Sequence, residues 1–142
     1  MIRNRFCFVS FALIVLAIVL VSFVSMDAKA QAQIPGVTMK TILQTTLSGD
    51  DTKEMLISSG EFAPGVTLPR HTHPGDDYTV VLQGDLELTV EGREPRRVSA
   101  GEAFHVPYGL VHYTRVLGDT PVRIIAIWVI EKGKPAMQPV IK

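Results

Sequence analysis

The segment GVTLPRHTHPGDDYTVVLQG, residues 65–84, decides the fold of this chain. It holds two of the chain's four histidines, His71 and His73, and follows them with a Pro-Gly pair, two aspartates and an apolar run. Because residues i and i+2 of a strand project from the same face, the two imidazoles would point into one space if the segment is extended. Two ligands of one metal ion have that arrangement, but two solvated histidines on a loop have the same spacing.

From Glu54 onward, short apolar runs alternate with turn residues, as is typical of an all-β domain. In the run LELTV, residues 86–90, every second side chain is apolar, which indicates a strand with one buried face. Eight short strands at this spacing predict a double-sheet jelly-roll barrel. The predicted strands are residues 54–62, 67–73, 78–83, 86–91, 96–98, 103–106, 111–117 and 122–130.

A third histidine, His112, closes the segment GEAFHVPYGLVH, residues 101–112. The Pro-Tyr-Gly turn at 107–109 ends one predicted strand, so His112 would lie early on the next one. Ligands from separate strands meet only if the sheet folds back on itself, and a jelly roll does so.

Together, the two segments resemble the paired motifs of the cupin family. The first family motif is glycine, five residues, His-x-His, three or four residues, glutamate, six residues and glycine. It is matched here, with every spacing kept, by Gly65, His71, His73, Asp77 and Gly84. The second motif, which ends in an asparagine separated from its histidine by three residues, is matched by Gly101, Pro107, Gly109 and His112. Asp77 stands where the family has glutamate, and Val116 stands where it has asparagine.

The resemblance implies a small β-barrel, the double-stranded β-helix, over most of the chain. It also implies that His71, His73 and His112, with Asp77, bind one divalent metal ion. Independently of the family, three imidazoles and one carboxylate oxygen suit Fe, Mn, Co, Ni, Cu or Zn. Asp76 is the alternative carboxylate, although the six-residue gap to Gly84 favours Asp77. Turn capping beside the Pro-Gly pair is the alternative role for Asp77.

The first thirty residues have the features of a secretory signal peptide. Arg3 and Arg5 precede an almost unbroken apolar run, residues 6–24, and the small-x-small tripeptide at 28–30 offers a cleavage site. An uncleaved membrane anchor formed by the same run is the alternative. Without the adjacent arginine pair of the folded-export route, we expect the chain to cross the inner membrane unfolded and to reside in the periplasm.

Cleavage would also remove Cys7, the only cysteine, which excludes thiolate ligands and a cysteine nucleophile from the mature chain. Of 14 basic and 14 acidic residues, 11 and 13 would remain. This balance gives no electrostatic case for nucleic acid or for an anionic membrane surface. We interpret residues 31–53 as an N-terminal leader, 54–134 as the barrel and 135–142 as a C-terminal tail.

Several residues outside the motifs also carry expectations. His105 lies between two core positions and should face outward. Four aromatic residues are either core or pocket lining: Tyr78, Phe104, Tyr113 and Trp128. Three arginines, Arg93, Arg96 and Arg97, should form a solvated, charge-mixed edge with neighbouring glutamates. The run VRIIAIWVI, residues 122–130, is too apolar for a solvated edge, so we expect a homodimer.

Two functions fit these features. One is a small metal-dependent enzyme, an oxygenase, isomerase or lyase acting on a small organic acid or enol, with Asp77 as fourth ligand or as a base. The other is a module that binds or senses a small molecule or a metal without turnover. The sequence places no further acid or base securely inside the barrel, so it does not decide whether the chain is an enzyme.

Overall fold

Apolar and polar residues that alternate in the sequence are alternately buried and more exposed in the strands. In β5, Asp85–Val90, the apolar residues Leu86, Leu88 and Val90 are buried and the residues between them are only partly covered. The computed structural model describes residues 33–141, and the expected signal segment lies outside them. The other strands are β1 Val37–Leu47, β2 Asp50–Phe62, β3 His71–Thr72, β4 Gly75–Gln83, β6 Arg96–Ser99, β7 Ala103–Val106, β8 His112–Leu117, β9 Val122–Glu131 and β10 Gln138–Pro139.

These strands form two antiparallel sheets of five. The first sheet has the order β1-β2-β9-β4-β7, and the second has the order β10-β3-β8-β5-β6. Consecutive strands such as β3 and β4 lie in different sheets, so the chain repeatedly crosses from one sheet to the other. The all-β jelly-roll prediction is therefore confirmed.

The core lies between the two sheets and consists of the inward-facing residues of both. Its fully covered members include Val81 and Val122 from the first sheet and Leu86 and Val98 from the second. No helix within residues 33–141 is long and apolar enough to cross a membrane.

The structure adds strands at both ends of the expected barrel. The segment interpreted as a leader, residues 31–53, contains β1 and the start of β2, which pair with each other along most of their length. Nearly every residue of β1 is exposed, so the strand lacks the alternation that reveals half-buried strands. Within the expected C-terminal tail, β10 pairs with β3.

Two predicted strand boundaries were wrong. The strand expected over residues 67–73 is reduced to β3 and a single bridge at Thr67, because Pro69 has no N–H to donate to a ladder. The turn expected at Pro74-Gly75 is a crossing between sheets, and β4 begins at Gly75 itself. An added Cβ at Gly75 would lie 2.0 Å from the carbonyl oxygen of Val129, so only glycine fits there.

Gly84 joins the two sheets at the other end of β4. Its φ of 75° falls in the left-handed region, which glycine adopts without steric cost. A Cβ there would also meet the carbonyl oxygen of Pro121 at 2.8 Å. Both constraints explain why a glycine closes the first motif.

Candidate metal centre

Three histidines meet between the sheets because the chain brings β3 and β8 side by side. His71 opens β3, His112 opens β8, and the two are direct cross-strand partners. His73 follows β3 immediately. Each of the three is at most 4% exposed. The expectation that His71 and His73 share one space, and that the fold brings His112 to them, agrees with this placement.

The three imidazole rings are close enough to share one ion. Their centroids lie 4.2 Å apart for His71 and His112, 4.9 Å for His71 and His73, and 5.0 Å for His73 and His112. One nitrogen from each ring lies within 4.8 Å of the nitrogens of the others. Such a group of three could hold a metal ion.

Backbone carbonyls fix the orientation of all three rings. The Nδ1–H of His71 donates to the carbonyl of Pro69 at 2.8 Å, and that of His112 donates to Leu110 at 3.0 Å. The Nδ1–H of His73 donates to the carbonyl of Ala136. A carbonyl only accepts, so the proton resides on Nδ1 and each Nε2 keeps its lone pair. Metal-binding histidines commonly use this arrangement, in which the second nitrogen is held by a fixed acceptor.

Asp77 faces the histidines from the opposite sheet. Its Oδ2 lies 3.4 Å from the Nε2 of His73 and 4.0 Å from the Nε2 of His112. Its Oδ1 accepts a hydrogen bond of 2.7 Å from the hydroxyl of Thr79. The carboxylate is therefore held by one oxygen and presents the other to the imidazoles.

Asp76, the alternative carboxylate, points to the outer surface of the first sheet. Its Oδ1 lies 2.8 Å from the Nε2 of His105, which is itself exposed. The prediction that His105 faces outward is confirmed. Turn capping does not describe Asp77, because this residue is buried within β4.

Burial keeps two of the histidines neutral. It lowers the pKa of His71 from 6.5 to about 3, with the neighbouring His112 as the next contribution in the same direction. Burial likewise lowers the pKa of His112. Both rings are therefore unprotonated at neutral pH, which metal binding requires.

The aromatic residues divide between the interior and the surface. Trp128 lies inside, with its ring centroid 5.6 Å from that of His73, and its buried Nε1–H has no acceptor among the described residues. Phe104 belongs to the core. Tyr78 is neither core nor lining of the centre, because it is 44% exposed and stacks on His105. Tyr113 follows His112 in β8 and so projects from the opposite face.

The residues after β9 contribute to the centre in a way that no side-chain pattern in the sequence indicates. The carbonyl that holds His73 belongs to Ala136, in the segment interpreted as a tail. No side-chain pattern encodes a backbone acceptor, and the partners are 63 residues apart. The apolar spacing of the short segment also gives no strand signal, since β10 has only two residues.

Comparison with known proteins agrees with the fold and the motifs. The family model for the cupin domain matches residues 59–129, which is half of the chain. The chain belongs to the cupin family.

Its relatives include plant and bacterial proteins that are longer than the match. Germin-like protein 5-1 of Oryza sativa subsp. japonica is 36% identical over 85 residues, covering 56% of this chain and 38% of that protein. Oxalate oxidase GF-3.8 of Triticum aestivum is 31% identical over 88 residues, covering 56% and 39%.

Dimethylsulfoniopropionate lyase DddQ of Ruegeria pomeroyi is 34% identical over 64 residues, covering 45% of this chain and 31% of the lyase. The crystal structure of that lyase superposes with a TM-score of 0.61 at 22% identity, covering 73% of this chain and 51% of the lyase chain. The matched part of the chain thus spans well under half the sequence of these curated relatives.

Proposed function

We propose that this chain is a metal-dependent cupin enzyme acting on a small organic acid or enol. The observation that carries the proposal is the shared orientation of three buried histidines, whose Nδ1 atoms are all engaged by carbonyls and whose Nε2 atoms converge. A neutral, fixed imidazole set of this kind would have a desolvation cost without a metal to bind. The sequence relatives named as an oxalate oxidase and a lyase support chemistry on a small acid.

His71, His73 and His112 would hold the metal through Nε2, and Asp77 would contribute Oδ2, which lies 3.4 Å from the Nε2 of His73. A bound metal of the Fe, Mn, Co, Ni, Cu or Zn group supplies Lewis acidity toward a carbonyl or enolate, or redox chemistry. Asp77 is also the candidate base, because Thr79 fixes one carboxylate oxygen and leaves the other facing the interior. Trp128 offers an unused N–H donor beside His73.

The chemistry of the reaction would be that of an oxygenase, an isomerase or a lyase. We further propose that the chain is exported, that it acts in the periplasm and that it acquires its metal there. The affinity of nitrogen and oxygen ligands for divalent first-row metals rises from manganese to copper and stays high for zinc. We therefore expect Zn or Cu to compete strongly in that compartment with Fe, Mn or Ni.

The second candidate is a module that binds or senses a small molecule without turnover. The observation favouring it is that, within residues 33–141, Asp77 is the only carboxylate beside the three histidines. If Asp77 is fully used as a ligand, no separate base stands next to the centre.

The deciding experiment is elemental analysis of the exported protein, purified without chelators or added metal, together with His112→Ala and His105→Ala. We expect about one metal per chain in the wild type and in His105→Ala, whose side chain is on the outer surface. His112→Ala should lose stoichiometric metal while keeping its β-rich circular dichroism. Equal metal content in both variants would refute the centre. Oxygen uptake with the native metal, tested on small organic acids, then separates an oxygenase from a lyase, an isomerase or a binding module.

A further inference from the structure

A small cavity opens where the edges of the two sheets, β6 and β7, run past each other. Its volume is about 130 Å³. Its floor is formed by Leu88 and Val90 of β5 and Phe104 of β7, each at most 9% exposed. These three side chains are inward-facing, so the cavity reaches from the surface to the apolar layer between the sheets. We call it the edge cleft.

The rim of the edge cleft carries more positive than negative groups. Arg93 and Arg96 line it, against the single carboxylate of Glu94. The guanidinium of Arg96 donates to the carbonyl of Ala103 at 2.7 Å, which fixes it across the gap between β6 and β7. Arg93 has no carboxylate within 4.0 Å among residues 33–141 that would neutralise it.

The neighbouring Arg97, unlike Arg93 and Arg96, forms an ordinary surface ion pair. Arg97 projects from the other face of β6 and donates to the Oδ2 of Asp85 at 2.8 Å. All three arginines are exposed next to Glu91 and Glu94, as expected of a solvated, charge-mixed edge, but only Arg97 among them has a carboxylate within 4.0 Å among residues 33–141. His105 completes the rim, with its Nε2 held by Asp76 at 2.8 Å.

The floor of the edge cleft is adjacent to the candidate metal centre. Val90 is the direct cross-strand partner of His112. Phe104 is the direct partner of Thr79, which holds Asp77. Directly opposed residues of antiparallel strands have Cβ atoms roughly 4.5–5.5 Å apart. A molecule resting on Val90 and Phe104 thus lies against the wall of the centre.

We propose that the edge cleft binds a small carboxylate that carries a short apolar chain, with the carboxylate at Arg93 and Arg96 and the chain on the floor. Arginine matches a carboxylate through two parallel N–H donors. The volume is below the roughly 300–1,000 Å³ of sites for drug-sized ligands, which limits the molecule to a few heavy atoms. The assignment rests on the proposed function only in making this molecule a substrate or product of the centre.

The test uses butyrate as the probe and 1-butanol as its uncharged counterpart, followed by NMR amide shifts in the full mature chain. The protein is stripped with a chelator first, so that binding at a metal cannot produce the signal. Butyrate should bind saturably and shift amides of residues 93–96 and 103–105, and 1-butanol should bind about tenfold more weakly, the loss expected for one charge-assisted pair.

Three variants give the expected signs. Arg93→Met should weaken butyrate binding about tenfold, Glu94→Gln should strengthen it by removing a like charge, and Arg97→Met should leave it unchanged. Equal affinity for butyrate and 1-butanol, or equal weakening by Arg93→Met and Arg97→Met, would overturn the inference. Butyrate binding by a protein that never acquires metal would uphold the edge cleft while refuting the proposed function, so the two failures are distinguishable.

Discussion

The segment after β9 should control the affinity of the metal centre, although it contributes no side chain to it. Removing residues 135–142 deletes the Ala136 carbonyl that accepts from His73 and the β10 pairing with β3. It removes no member of the hydrophobic core. The shortened chain should therefore fold, but His73 would lose the acceptor that fixes its tautomer and its ring orientation.

The expected loss follows from what that acceptor does. Removing a partner that orients a metal-binding histidine typically lowers metal affinity about 10- to 100-fold. This corresponds to roughly 1.4–2.8 kcal/mol of binding free energy. The matched control removes only residues 140–142, which costs the hydrogen bond from the Val140 N–H to the Arg70 carbonyl but keeps Ala136 and β10.

The assay is competitive Zn²⁺ titration against a chromophoric chelator, with both truncations and the full mature chain measured in parallel. Imidazole ¹⁵N shifts of His73 in the metal-free proteins report directly on its tautomer. We expect Nδ1–H to be retained in the control and to be mixed with Nε2–H in the longer truncation. Zinc affinities within twofold of each other for the two truncations, with both folded, would refute the reasoning.

Three further results are expected. Asp77→Ala should weaken metal binding by less than any of the three His→Ala changes, because three imidazoles remain. If Asp77→Glu binds metal more tightly in the same titration, the shorter side chain of aspartate sets the affinity of the centre. In urea titrations of the metal-free protein, the free energy of unfolding should fall as pH is lowered from about 6.5 to about 3. The contribution of His71 should be about 1.4 kcal/mol per pH unit, because its folded pKa is lowered to about 3 and only the unfolded state takes up the proton in this range. Above pH 6.5 the imidazole is neutral in both states, so His71 should add no pH dependence. The apolar run 122–130 is not an edge, because β9 lies between β2 and β4, so the homodimer stays a prediction that now depends on the exposed outer face of the first sheet. Light scattering at tens of micromolar should give a dimer mass, and Leu82→Glu, on that face where the residue is 52% exposed, should shift the mass toward the monomer.

Residue spacing predicted that the three histidines come together, because His71 and His112 lie on strands and His73 directly follows β3. Their role as metal ligands stays a prediction. An i, i+2 pair on an extended segment needs no tertiary information, and the turn before His112 announced the strand that carries it. Seven of the eight predicted strands correspond to strands with a buried face, such as β5, because burial imposes alternation, whereas the strand predicted over residues 67–73 is reduced to β3. No strand was predicted at β1, which is exposed on both faces, or at β10, which is too short to have a period.

Backbone groups account for what the residues of the centre could not reveal. The three carbonyl acceptors for Nδ1 come from Pro69, Leu110 and Ala136, and a carbonyl is present at every position of any sequence. Two of these acceptors lie two residues before their histidine, so a local rule could find them. The third comes from 63 residues away and appears only once the chain has folded.

The separation of His73 and Asp77 by three residues has a structural cause that sequence alone conceals. His73 directly follows β3, a strand of the second sheet, whereas Asp77 lies on β4 in the first sheet. The segment between them therefore includes the crossing from one sheet to the other. The crossing is short because β4 already begins at Gly75, which pairs directly with β9. Only glycine fits there, since a Cβ on residue 75 would collide with the Val129 carbonyl. A longer connection would move the register of β4 and, since strand side chains alternate, a shift of one residue would turn Asp77 outward and bring Asp76 inside. The motif spacing therefore fixes which of two adjacent aspartates reaches the histidines.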